Sequence, residues 1–181
     1  GIDLNTNLPG GTIMKKDGRL TGILIDSPKK LIIESLPRPT NTDKVKALIA
    51  AQNKCFQYGL TTVDDAGLSK NDILLIDSLQ QAKIINMRIY AMISNNKDDV
   101  NYFINKGIYK TEKLNVRSVK VYADGALGSR GAVLKEPYND DLKNKGKYIT
   151  SFESIDSLAL KLSLTDFQMN THAIGDAANH T

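Results

Sequence analysis

The feature that most constrains the fold is a regular alternation of helical and strand patterns from Thr42 onward. Apolar residues recur at helical spacing in "TDKVKALIAAQNKCFQYG", and a short strand pattern, "LTTVDDAG", follows directly. The alternation of helical and strand patterns continues from "SKNDILLIDSLQQAKII" to "FQMNTHAIGD". Helices that alternate with short apolar strands are typical of a parallel α/β sheet or barrel. Four strands are predicted, half of an eight-stranded barrel, near Thr61–Asp64, Arg88–Met92, Val119–Ala123 and Gln168–Thr171.

The first forty residues have a different pattern. "GGTIMKKDGRLTGILID" contains two apolar runs on either side of a Lys-Asp-Gly turn at Lys16–Gly18, which is typical of a β-hairpin. The Pro-rich piece "SLPRPTNTD" then interrupts the chain before a helix for which Thr42 is the predicted N-cap. We therefore divide the chain into a hairpin insertion with its connector over residues 1–40 and a half-barrel segment over residues 41–181.

Composition excludes several classes of protein. The net charge of +4 comes from 24 Lys and Arg against 20 Asp and Glu, and these residues are scattered, so a nucleic-acid surface is not expected. The single cysteine, Cys55, excludes an internal disulfide framework and a cysteine-built zinc site. No apolar run approaches the roughly 20 residues of a membrane-spanning helix. Because "GIDLNTNLPGG" lacks an initiator Met, we expect a segment of a longer protein, with the compartment unknown and the cytoplasm slightly favoured.

A lysine stands within a strand, "SVKVYADG", that otherwise has a buried pattern. An unpaired buried charge is costly or loses its proton. Because side chains alternate along a strand, Lys120 shares one face with Tyr122 and Asp124, while the flanking valines occupy the other. The polar face of "FQMNTHAIGD" ends at His172. Lys120 and His172 are therefore predicted to approach the carboxyl edge of the sheet, where α/β active sites lie, as parts of a metal or acid/base site.

The residue pattern also permits structural interpretations. A strand lysine is often solvent-facing or paired with a carboxylate such as Asp124, and a histidine at a strand end is often a hydrogen-bonded structural residue. The loop "DGALGSRG" has the glycine content of a phosphate cradle but lacks the G-K-[ST] of a P-loop. Pattern alone leaves both interpretations open.

Four stretches, "PGGTIMKKDGRLTGILID", "GLTTVDDAG", "VKVYADGALGSRGAVLKEPYND" and "THAIGDAAN", together resemble the YtcJ-like branch of the metal-dependent amidohydrolase superfamily, which includes N-substituted formamide deformylases. The resemblance implies an internal segment of the catalytic domain, with about strands 2 to 5 of a (β/α)8 TIM barrel and a hairpin insertion. It also implies hydrolysis of a non-peptide, amide-like C–N bond by metal-activated water. The family's His-x-His pair, sixth-strand histidine and eighth-strand aspartate have no counterpart in this sequence. We therefore expect the segment alone to be inactive.

The same resemblance implies roles for individual residues. Lys120 and His172 match metal ligands, and the lysine can carry a CO2 adduct that binds one or two divalent ions, with zinc expected. No catalytic residue is assigned within the segment. Asp26 stands where the family has a glutamate. The residues implied to contact substrate or to support the site are Asp124, Gly125, Ser129, Arg130 and Asp176.

The expected partner is a small amide-like substrate, and neither nucleic acid nor a membrane is expected. Half a barrel exposes sheet edges and an apolar face, so a homo-oligomer is a further expectation. Two alternatives stay open: a non-catalytic barrel that binds a small molecule in the same pocket, and an inert folding or assembly piece.

Overall fold

The computed structural model describes residues 2–180. Its elements, in chain order, are β1 (Gly11–Lys16), β2 (Arg19–Asp26), α1 (Lys29–Ile33), α2 (Asn41–Gln57), β3 (Thr62–Leu68), α3 (Lys70–Gln81), β4 (Arg88–Ser94), α4 (Lys97–Lys106), β5 (Tyr109–Lys110), β6 (Leu114–Tyr122), α5 (Phe152–Ser163) and β7 (Gln168–His172). These elements belong to two compact units. The first unit comprises the chain up to Pro37, from Tyr122 to Leu158 and from Thr171 onward, and the second comprises Arg38–Val121 and Ala159–Asn170.

The second unit is built on a parallel sheet. Strand β3 pairs in parallel with β4, and β4 pairs in parallel with β6. Strand β7 also pairs with β6, and the two-residue β5, which the sequence did not predict, pairs with β6 in the antiparallel sense. The α/β class and the parallel pairing of β3, β4 and β6 are therefore confirmed, and a partial TIM barrel is consistent with this arrangement.

Buried apolar side chains hold the helices of this unit to the sheet. In β4 the buried residues alternate with half-buried ones, as expected for a strand covered on one face. Burying one such aliphatic side chain contributes roughly 1.5–3 kcal/mol. The buried apolar residues of β4, α3 and α4 are Ile89, Ala91, Ile93, Ile73, Ile76, Leu79, Val100 and Phe103.

Helix α2 begins two residues earlier than the sequence pattern predicted. Thr40, not Thr42, is the N-cap, and its hydroxyl accepts a hydrogen bond from the Asp43 backbone N–H. The Asp43 carboxylate in turn accepts a bond from the Thr40 backbone N–H at 2.9 Å. Only Thr40 has an acidic residue three positions later, which is the spacing of a capping box, and this explains why the prediction of Thr42 was wrong.

The first unit begins with the hairpin that the sequence predicted. Strands β1 and β2 are antiparallel, and the turn residues Asp17 and Gly18 have φ values of 50° and 72°. Two successive positive φ values match a type I′ turn, for which Asp-Gly is a preferred sequence. After β7, residues 176–179 form a run of turns, in which the Ala177 N–H bonds to the Val133 carbonyl at 3.2 Å.

Across residues 2–180, no helix combines the length and apolar character needed to cross a membrane.

Candidate functional site

A β-bulge in β6 determines the face on which Lys120 lies. Consecutive residues of β4 lie opposite Val116 and Ser118, so Arg117 is an extra residue in the pairing. An extra residue reverses the alternation of side chains along a strand. As a result, apolar residues are buried on both sides of the bulge, and these are Leu114, Val116, Val119 and Val121. Lys120 projects from the face opposite Val119, in agreement with the alternation read from the sequence.

The Lys120 side chain is half-buried in the second unit. Its Nζ donates a hydrogen bond to the Val121 carbonyl at 3.1 Å. Burial lowers the pKa of Lys120 below its ordinary value, because desolvation disfavours the charged ammonium. The neutral amine, which is the form that reacts with CO2, is therefore more populated than it would be on an exposed lysine.

His172 is the last residue of β7 and lies in the first unit. Its carbonyl accepts a hydrogen bond from the Ala123 N–H at 2.9 Å. Its half-buried imidazole lies beside the Tyr122 ring, with ring centroids 5.5 Å apart and an interplanar angle of 48°. The backbone of His172 is therefore fixed, and its ring carries nitrogen atoms of the type that binds zinc.

Asp124 follows β6 in the first unit and is fully buried. Its Oδ2 accepts hydrogen bonds from the backbone N–H groups of Val133 and Gly175, both at 2.8 Å. Its Oδ1 accepts a bond from the Ile174 N–H at 2.9 Å. Because the side chain is buried and its oxygens are occupied, Asp124 is placed to support the surrounding backbone.

The glycine-rich loop packs closely against the end of the hairpin. A Cβ atom added at Gly125 or at Gly131 would overlap with the carboxylate of Asp26. The two glycines also face each other across the loop, where the Gly125 N–H donates to the Gly131 carbonyl at 3.2 Å. Their lack of a side chain suits this close packing, in which the Asp26 carboxylate is the nearest group and the two glycine backbones follow.

Ser129 and Arg130 lie together on this loop and line a cavity of about 120 Å³ within the first unit. The Ser129 hydroxyl donates to the Ala126 carbonyl at 3.2 Å. The Arg130 guanidinium forms a two-bond ion pair with Asp140, and this pairing raises the pKa of Arg130 and lowers that of Asp140. The remaining lining residues include Asp26, Asp141, Asn144 and Lys147. The lining thus combines apolar side chains, such as Met14 and Ile25, with polar groups of both charges.

Asp176, the last predicted site residue, is exposed and holds a loop of the first unit. Its Oδ1 accepts a hydrogen bond from the Lys135 backbone N–H at 3.0 Å. The structure therefore brings Asp124, Gly125, Ser129, Arg130, Asp176 and His172 into one compact unit, and Lys120 belongs to the other.

Two polar residues of the cavity region were not identified from the sequence. Asp140 is the ion-pair partner of Arg130, and the Lys147 ammonium donates to the Gly11 carbonyl at 3.2 Å. No local spacing signals either contact, since one partner lies ten residues away and the other 136. An acidic cluster in "EPYNDD" next to an arginine-bearing loop was the one available indication.

Lys120 and His172 are the predicted site residues whose chemistry suits a metal. A carbamate on the lysine would supply anionic oxygen, and the imidazole supplies nitrogen, both of which bind zinc. Among residues 2–180, no group of three or more His, Cys, Asp and Glu side chains is arranged to hold a metal ion. A catalytic zinc takes three protein ligands, so each of these residues, considered by itself, has the chemistry of a single ligand.

Comparison with known proteins gives a match along almost the entire chain. The model of the Amidohydrolase family matches residues 1–180. The Bacillus subtilis (strain 168) protein YtcJ, described as a candidate amidohydrolase, is 31% identical over 187 residues, which cover 98% of this chain and 35% of that protein. Protein LONG AFTER FAR-RED 3 of Arabidopsis thaliana is 28% identical over 191 residues, covering 98% and 33% respectively. The chain thus spans about a third of the length of these curated relatives.

Solved structures show the same fold. An uncharacterized metal-dependent hydrolase from Pyrococcus furiosus superposes with a TM-score of 0.74 at 25% identity, covering 88% of this chain and 34% of that one. An uncharacterized metal-dependent hydrolase from Pyrococcus horikoshii OT3 gives a TM-score of 0.73 at 23% identity, covering 87% and 33%. Because the family model matches residues 1–180, the chain belongs to the amidohydrolase family.

Proposed function

We propose that this chain contributes part of the active site of a metal-dependent hydrolase that cleaves a non-peptide, amide-like C–N bond. The observation that carries the proposal is the Lys120 amine, which is half-buried on the strand face opposite the packed valines and has a lowered pKa. A lysine with only a packing role keeps its ammonium in water while its methylene stem covers apolar surface. Burial that destabilises the charged form instead favours a lysine used as a neutral amine.

The neutral Lys120 amine is proposed to take up CO2. Its nitrogen lone pair forms a bond to the carbon of CO2, one C–O π pair moves to oxygen, and the amine releases a proton to solvent. The resulting carbamate is an anion with two oxygen atoms, and His172 supplies a neutral ring nitrogen. When bound, a divalent metal such as zinc acts as a Lewis acid that polarises the substrate carbonyl and activates water.

The loop residues of the first unit are proposed to form part of the border of the substrate site. Ser129 and Arg130 line the cavity, and the Asp140 pair fixes the direction of the guanidinium. A small amide-like molecule has both donor and acceptor groups, which match a cavity lined by groups of both charges. Gly125 and Asp176 act by holding the loops that carry these groups.

Metal content and turnover of the full-length protein test the proposal together. Lys120→Ala and His172→Ala should each lower kcat/KM for an N-substituted formamide by at least about 100-fold and reduce bound zinc, because each removes a ligand. Lys110→Ala, which removes an exposed strand lysine, should stay within about twofold of wild type in both measurements.

Two results would contradict the proposal. Unchanged turnover and metal content in Lys120→Ala would exclude the ligand role. A wild-type protein that is free of metal and binds the formamide without turnover would favour the non-catalytic binding barrel. Self-association stays a prediction, for which sedimentation of the purified protein is the measurement.

A further inference from the structure

The buried site around Asp124 requires a carboxylate and not an amide. Its Oδ2 accepts two backbone N–H groups, from Val133 and Gly175, while Oδ1 accepts the N–H of Ile174. An asparagine side chain has one acceptor oxygen and one NH2 group. In either orientation, an asparagine would direct its NH2 group toward at least one backbone donor. All three N–H groups therefore find an acceptor only when both side-chain atoms are oxygens, as in aspartate.

The turn after β7 has little freedom to move away from this carboxylate. A Cβ atom added at Gly175 would overlap with the backbone of Val133. The Val133 carbonyl also accepts a hydrogen bond from the Ala177 N–H at 3.2 Å. The segments that Asp124 joins are thus already in backbone contact, and the carboxylate fixes their relative position.

The backbone is held at His172 and directly after it. Its carbonyl accepts from the Ala123 N–H at 2.9 Å, and two residues later the Ile174 N–H donates to Asp124 Oδ1. Two consecutive residues, Ala123 and Asp124, therefore hold the backbone at the histidine's own carbonyl and two residues beyond it. The angle at which the His172 imidazole leaves the backbone depends on these bonds.

We propose that Asp124 is a positioning residue for His172, which acts by clamping the turn at Ile174 and Gly175 and the loop end at Val133. It is fully buried, so it does not contact substrate. The expected change in metal affinity rests on the proposed function. The effect of Asp124 on the orientation of the His172 imidazole does not depend on metal. Substitution of a residue that orients a metal ligand typically changes metal affinity by 10–100-fold.

The first test compares Asp124→Asn with Tyr138→Phe in the full-length protein. Tyr138 is also buried in the first unit, and its hydroxyl donates to the Ala132 carbonyl at 2.8 Å, so Tyr138→Phe removes a buried hydrogen bond that does not hold the His172 turn. Zinc affinity, measured by competition with a chromogenic chelator, should fall by about 10–100-fold in Asp124→Asn and by less than about threefold in Tyr138→Phe. Equal losses in the two variants would overturn the proposal.

The second test uses metal-stripped protein and separates this inference from the proposed function. In Asp124→Asn, amide exchange at Ile174 and Gly175 should accelerate by at least about tenfold, and the His172 imidazole NMR signals should shift or double. Tyr138→Phe should leave those signals in place. Unchanged imidazole signals in Asp124→Asn would overturn the positioning role. A wild-type protein that binds no zinc refutes the metal proposal alone.

Asp124→Glu keeps the test decisive if Asp124→Asn does not fold. Glutamate retains both acceptor oxygens on a longer arm, so the variant should fold and give a smaller shift of the same His172 signals with a metal affinity between those of wild type and the asparagine variant. A folded Asp124→Glu protein with wild-type imidazole signals and wild-type affinity would overturn the proposal.

Discussion

The surroundings of Lys120 and of Asp124 differ in how they act on a charged side chain. Lys120 is half-buried, and Asp124 is fully buried. Burial lowers the pKa of Lys120, which means that the folded chain disfavours its charged form. The Asp124 carboxylate is more completely buried, yet it accepts three backbone N–H groups at 2.8–2.9 Å. Hydrogen bonds to an ionised acceptor are about twice as strong as neutral ones, so the folded chain accommodates this charge.

The difference shows that burial alone does not identify a reactive group. What matters is the balance between the desolvation of the charged form and the hydrogen bonds made to it. Lys120 has the property needed for chemistry as a neutral amine, whereas Asp124 has the property needed to hold two loops together. Only three residues separate Lys120 from Asp124, and the sequence pattern alone does not distinguish their roles.

The largest expected effect is the loss of the Asp124 carboxylate. Asp124→Ala leaves three N–H groups without their acceptor, two of them on buried residues, so we expect the free energy of unfolding to fall by about 3–5 kcal/mol. Urea denaturation of the full-length protein measures this change. Asp140→Ala, which removes an exposed carboxylate, is the matched control and should have little effect. A loss below about 1 kcal/mol in Asp124→Ala would contradict the comparison.

A smaller effect is expected from adding a methyl group where the turn at Gly175 meets the backbone of Val133. Gly175→Ala would force a Cβ into the Val133 backbone, and we expect a destabilisation of about 1–3 kcal/mol. Gly128→Ala is the control, because a Cβ at that glycine meets no atom within 4 Å. The comparison would be weakened if both variants unfolded at the same urea concentration.

The next effect in size is the pH dependence of the free energy of unfolding. Its sign follows from the lowered pKa of Lys120. The folded pKa lies below the ordinary value of 10.5, so the charged lysine opposes folding at low pH. This penalty disappears as pH rises through the folded pKa toward 10.5. In metal-free, CO2-free buffer, wild type should therefore gain stability relative to Lys120→Met across this alkaline window. A difference that is constant with pH would contradict the shift.

The smallest effect is expected at the exposed ion pair between Arg130 and Asp140. Exposed pairs contribute little to stability because water and salt screen them. Asp140→Asn should leave the melting temperature nearly unchanged at both low and high salt, while the Arg130 side chain becomes more mobile in NMR relaxation. A large, salt-dependent loss of melting temperature would show that surface charge matters more in this unit than buried charge.

Much of the fold could be predicted from local patterns. The alternation of apolar residues located the buried face of β6 and the opposite, half-buried face that carries Lys120. The Asp-Gly turn at Asp17 and Gly18 was likewise evident, because that dipeptide readily adopts the two positive φ values that the hairpin requires. These features depend on residues close together in the sequence.

The features that could not be predicted depend on distant contacts. The extra residue at Arg117 appears only when β6 is paired with β4. The partners of Asp124 include Ile174 and Gly175, fifty and fifty-one residues away, and no spacing rule connects them. For the candidate site, the sequence suggested both Asp124 and Lys120. Only the structure showed that the Asp124 carboxylate holds backbone N–H groups, whereas burial disfavours the charged form of Lys120.

The central claim is that Lys120 serves as a neutral amine that carries CO2 and binds metal. The most direct measurement is carbon-13 NMR of the full-length, zinc-loaded protein in 13C-bicarbonate, with Lys120→Arg as the control. We predict one protein-bound carbamate signal in wild type, its loss in Lys120→Arg, and its loss on removal of zinc. A fully zinc-loaded wild type with no carbamate signal, or a signal that persists in Lys120→Arg, would contradict the claim.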